Sequence, residues 1–142
     1  MTPFLGRRWL AGLCAASMGV TSPTWTAKLD PMGESVLGGN AVVTTLAGDT
    51  VRATIAVTGG KAGDDMPWHV HFGSCEAHGS IVGIAADYPL LRVRSDGTVN
   101  GDARVVARLK EGETYSVNLH RSMADQTVVA CGVLHSPDVR SN

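Results

Sequence analysis

A chain of 142 residues, 44% hydrophobic, is long enough for one compact core and too short for two full ones. Its formal charge of −1 argues against a nucleic-acid binder, which would normally carry a basic stripe. Few aromatics and abundant Gly, Val, Thr and Ala point to short strands joined by tight turns, not to a helical bundle.

The first 27 residues read as an export signal: Arg7 and Arg8, the apolar run from Trp9 to Val20, then turn-prone residues up to a cleavage position near Ala27. The run is too short for a membrane span, so no span is expected in the mature chain. The paired arginines loosely fit a twin-arginine signal, although Gly6 precedes them, and ordinary secretion fits equally. Cys14 follows Leu13, where a lipidation motif wants a small residue. Without Arg7, Arg8 and Cys14 the mature chain carries 10 basic and 13 acidic residues, a net −3, and two cysteines, Cys75 and Cys131. An even pair in an exported chain is most simply a disulfide, whereas two thiolate ligands to a metal would need a reducing compartment. The destination is the periplasm or the exterior.

Residues 28–39 hold Pro31 and several glycines and read as an irregular lead to a β domain over 40–135, with 136–142 as a tail. Asn40 to Leu46 and Thr50 to Val57 form a predicted hairpin around Gly48. In its second strand Val51, Ala53, Ile55 and Val57 share one face. After a Gly-rich connection, Pro67 permits an extended approach to a strand containing Trp68, His69, Val70 and His71. The run from Ile81 to Ala86 is ambiguous between a strand and a short helix. Further strands are expected at Leu90 to Val93, Val99 to Leu109, Thr114 to His120 and Thr127 to Leu134. Seven or eight strands with frequent turns suggest a sandwich or Greek-key barrel.

The chemistry concentrates at His69 and His71. A strand repeats every two residues, so both imidazoles point to one face and can approach one ion. His120, near a later strand end, is the candidate for a distant third ligand. The bland alternative is a surface or hydrogen-bonded pair. His78 reads first as a loop residue and His135 as solvent-facing. Asp64, Asp65 and Asp87 have turn duties by default, and Trp68 reads as packing over the histidines. No dinucleotide fingerprint, P-loop or nucleophile elbow occurs.

Trp68-His69-Val70-His71-Phe72-Gly73, then Cys75, then Val117-Asn118-Leu119-His120, then Val129-Ala130-Cys131-Gly132-Val133-Leu134, in that order, resemble the copper/zinc superoxide dismutases and their small exported bacterial relatives. The likeness runs from about residue 40 to 134. It implies an eight-stranded antiparallel Greek-key barrel and copper held by His69, His71 and His120, with His78 a candidate fourth ligand. It also implies a Cys75–Cys131 disulfide and superoxide or another small oxidant as reactant. The chain departs from the family in having no histidine between His78 and His120, too few for a complete zinc site. It has Val128 where the family's active-site arginine stands, which leaves Arg121 as the candidate anion guide. Imidazoles suit Cu(II) and are poor ligands for magnesium or calcium. The sequence therefore supports an exported copper-binding, dismutase-like protein or, alternatively, a noncatalytic envelope barrel braced by a disulfide.

Overall fold

The computed structural model describes Gly19 and residues 21–136, and its regular structure is almost all β. Ten strands occur among the described residues: β1 Thr24–Pro31, β2 Gly38–Thr45, β3 Thr50–Thr58, β4 Asp65–Met66, β5 Trp68–Gly73, β6 His78–Ile81, β7 Leu91–Arg92, β8 Val99–Val106, β9 Tyr115–His120 and β10 Val128–Val133. Eight of them form one curled antiparallel sheet in the order β6-β5-β9-β10-β1-β2-β3-β8, and β4 pairs with β7 apart from it. No helix among the described residues is long and apolar enough to cross a membrane.

The period-two pattern explains which face each strand buries. In β3, Val51, Ala53, Ile55 and Val57 are buried while Arg52 and Ala56 are not. Trp68 and Val70 of β5 and Tyr115, Val117 and Leu119 of β9 belong to the same apolar core. The two ends of the sheet meet through it: a methyl group placed on Gly101 of β8 would lie 3.1 Å from the Trp68 ring. Trp68 thus packs in the core, with its indole N–H donating to the Pro89 carbonyl at 3.0 Å.

The segment before β2 departs from expectation. The lead over 28–39 is irregular only over 32–37, because β1 runs through Pro31 and pairs with β2 from Thr24 to Leu29 and with β10 at Asp30 and Pro31. Its alternation, with Trp25, Ala27 and Leu29 buried between exposed Thr26 and Lys28, is a half-buried strand that the nearby Pro and Gly masked. Of the signal segment expected over 1–27, residues 1–18 lie outside the described residues, but the last four belong to β1. A chain beginning at Lys28 would lose the buried Trp25 and four residues of pairing. Loss of a core Trp alone costs about 3–5 kcal/mol, so that truncation is expected to lower the denaturation midpoint sharply against one beginning before Thr24. Equal midpoints would contradict the packing described.

The run from Ile81 to Ala86 is neither a strand nor an α-helix. Ile81 ends β6, Gly83 takes φ +76°, and Ala85–Asp87 make a single 3₁₀ turn. Of the tail, residues 137–142 lie outside the described residues. His135 is exposed, as expected, although its backbone pairs with Thr26.

Candidate metal centre

β5 and β9 set the site by register. His69 stands opposite Asn118 and His71 opposite Ser116, so the outward face of this pair carries His69, His71, Ser116, Asn118 and His120. His120 lies diagonally beyond Asn118, next to His69. The ring centroids are 5.3 Å apart for His69 and His120, 5.7 Å for His69 and His71, and 5.9 Å for His71 and His120. All three rings are buried, and each offers a ring nitrogen to a set lying within 4.8 Å of one another. Among the described residues this group could hold a metal ion.

The loop covering this face is anchored by sequence-local devices. Gly73 adopts φ +92°, and a side chain there would run into the Ala77 carbonyl oxygen at 2.3 Å, so the turn into β6 requires glycine. Within that turn Cys75 is disulfide-bonded to Cys131 of β10, which sits opposite Asn118. Gly132, beside the bridge, lies against β1 so closely that a methyl group would meet the Lys28 carbonyl oxygen at 2.2 Å.

Two carbonyls fix two of the rings. Nδ1 of His71 lies 2.9 Å from the Gly79 oxygen, and Nδ1 of His120 lies 2.9 Å from the Gln126 oxygen. A carbonyl only accepts, so in each neutral ring Nδ1 carries the proton and Nε2 keeps its lone pair. Those Nε2 atoms have no hydrogen-bond partner among the described residues, and neither does Nδ1 of His69. The only other buried side-chain polar atoms so placed among the described residues are Ser116 Oγ and Asn118 Nδ2, on the same face. Buried polar atoms are rarely left unpaired, and a concentration of them marks a site for an ion or water. Three imidazoles, two of them oriented by outer carbonyls, are a fit donor set for copper or zinc.

Burial keeps these rings neutral. It pushes the His69 pKa down to about 4, with smaller contributions from His120 and His71, and lowers those of His71 and His120 as well. Between about 4 and the ordinary 6.5, His69 binds more protons in the unfolded chain than in the folded one. The stability of the metal-free protein therefore rises with pH across this window and is lost on acidification. A thermal midpoint series in chelator is expected to show that fall, flattened in His69→Gln; equal slopes in the two proteins would contradict it.

His78 stands outside the close set of three, exposed on β6, with its ring 5.0 Å from that of His71. Arg121 is not brought to the cluster. Its guanidinium pairs with Asp125 at 2.7 Å, and it lines a depression with Glu34, Lys61 and Asp64 that no clustered histidine enters. Next to His120 at a strand end, it turns to the opposite side and is drawn to the nearer carboxylate. Thr127 and Arg121 together depress the Asp125 pKa to about 2.

Several members of the site were not singled out from sequence. Gly79 and Gln126 act through backbone oxygens, which side-chain patterns do not reveal. Tyr88 packs edge-on against His69 at 5.3 Å and donates its hydroxyl to the Val82 oxygen at 2.8 Å; burial raises its pKa. Ser116 and Asn118 alternate with His120 along β9, a period-two signal that would have found them. The chain matches no known family model and no curated protein.

Proposed function

We propose that this is an exported copper-binding protein of the superoxide dismutase-like kind, with His69, His71 and His120 as ligands. One observation carries the reading: three buried ring nitrogens without partners on adjacent strands, two of them on rings whose other nitrogen is bonded to a backbone carbonyl. The wider likeness supports it, since the Trp-His-Val-His-Phe-Gly strand, His120 and the Ala-Cys-Gly-Val strand lie side by side as β5, β9 and β10. The placing of β9 and β10 between β5 and β1 is likewise what a Greek-key connection produces. Disulfide formation accords with an oxidising compartment, periplasmic or extracellular.

His69 would bind through Nδ1, and His71 and His120 through Nε2; His78 is positioned as an outer neighbour able to approach when a fourth donor is required. Copper in this setting supplies one-electron chemistry suited to superoxide or another small oxidant. The chain's own residues keep the rings neutral, hold two of them in orientation and cover their outward face. With Arg121 committed to Asp125, no cation is assigned to guide an anion, which favours a copper binder or slow redox centre over a fast dismutase.

Titration of purified protein beginning before Thr24 with Cu(II), read by its visible absorption and by thermal midpoint, tests this. Stoichiometric binding is expected, with stabilisation of about 2.7 kcal/mol when free metal is 100 times Kd. Absence of binding, or binding unchanged in both His69→Ala and His120→Ala, would leave the disulfide-braced noncatalytic barrel as the reading. A superoxide assay on the loaded protein then separates enzyme from binder.

A further inference from the structure

A groove of about 540 Å³ opens beside the histidine cluster, and His69 alone of the three clustered rings lines it. Its walls are mostly apolar, from Pro67, Ile81, Ala85, Ala86 and Leu90, and no carboxylate, lysine or arginine lines it. Met123 stands in the same lining with 67% of its surface exposed. The loop that presents it is held by its own hydrogen bonds: the Asp125 N–H donates to Ser122 Oγ at 2.9 Å, and the Gln126 amide donates to the carbonyls of Ser122 and Met123. A flexible thioether is thus displayed at a groove that also reaches a nine-tenths-buried imidazole whose Nδ1 has no partner among the described residues.

We propose that this groove is the copper intake and that Met123 captures the metal as Cu(I), an inference that rests on the copper reading of the three histidines. A thioether is a soft ligand that selects Cu(I) over hard or strongly hydrated dications. No carboxylate in the lining competes for the ion, and the Tyr88 hydroxyl is engaged with the Val82 carbonyl. Passage inward is ligand exchange without electron transfer. The Met123 sulfur displaces a ligand of the incoming Cu(I), the His69 ring replaces the sulfur, and chelation with His71 and His120 completes the transfer. Met123 is a transient ligand, so it governs the rate of Cu(I) loading and not the final affinity.

Anaerobic stopped-flow mixing of the protein beginning before Thr24 with the Cu(I) complex of bicinchoninate, followed by the chelator's absorbance, tests the proposal. Met123→Leu preserves apolar volume and is a well-tolerated exchange. It is expected to slow Cu(I) uptake by about tenfold or more, the scale on which a group outside the resident ligands affects a metal site, and to leave Cu(II) uptake unchanged. Uptake of Cu(I) at the wild-type rate overturns the proposal. A matching loss of equilibrium Cu(I) affinity also overturns it, since Met123 would then be a resident ligand. A Cu(II) titration of the wild type separates the two levels: failure there removes the histidine site itself, whereas normal Cu(II) binding with an indifferent Met123→Leu removes only the intake.

Discussion

Replacing His120 by Ala lowers Cu(II) affinity by more than about 100-fold, beyond the 10–100-fold span that outer-shell changes produce. The size follows from the ring's position. His120 is the one member of the trio that β9 contributes, and it lies within 5.3 Å and 5.9 Å of the other two rings by centroid. Its removal leaves two ligands on a single strand, a pair that binds copper without closing around it. The variant is expected to fold, because Pro67 accepts a bond from the backbone N–H of His120 whatever the side chain. Isothermal titration with Cu(II) measures the change. His135→Ala is the matched control, an exposed imidazole away from the cluster. Equal losses in the two variants would mean that copper binds surface histidines generally and that the buried trio is not the site.

Removing the disulfide with Cys75→Ala and Cys131→Ala together is expected to act on two properties at once. The cysteines are separated by 56 positions, and cross-linking a loop of that size stabilises a fold by about 4 kcal/mol in the chain-entropy description. Urea denaturation reads that loss. The second effect is local. Cys75 lies in the turn between β5 and β6, and the strand after it carries the Gly79 carbonyl that holds His71 Nδ1. Freed from β10, this segment orients the ring less well, and copper affinity falls by about 10–100-fold. A variant that loses stability but binds copper as tightly as the wild type would show that Gly79 does not depend on the bridge for its place. Under reducing conditions the wild type should lose stability as the double variant does.

The β class, the pairing partners of the first hairpin and the shared face of His69 and His71 were legible in the residue pattern. Each of these follows from the two-residue period of an extended chain, which is a local property. Alternation also carried β1, but Pro31 and the glycines around it obscured the signal, so a core strand read as a lead. Spacing could propose His120 and Cys131 as distant partners, yet it could not bring them to His69 and Cys75. That took the register of β5 against β9 and of β9 against β10, which is decided by hydrogen bonding and core packing across the whole sheet. The tertiary structure alone turned Arg121 toward Asp125, placed the Gly79 and Gln126 carbonyls behind two imidazoles and set Met123 beside the groove to His69. Backbone oxygens and loop directions leave no mark in a pattern of side chains; they are fixed only when remote segments pack together.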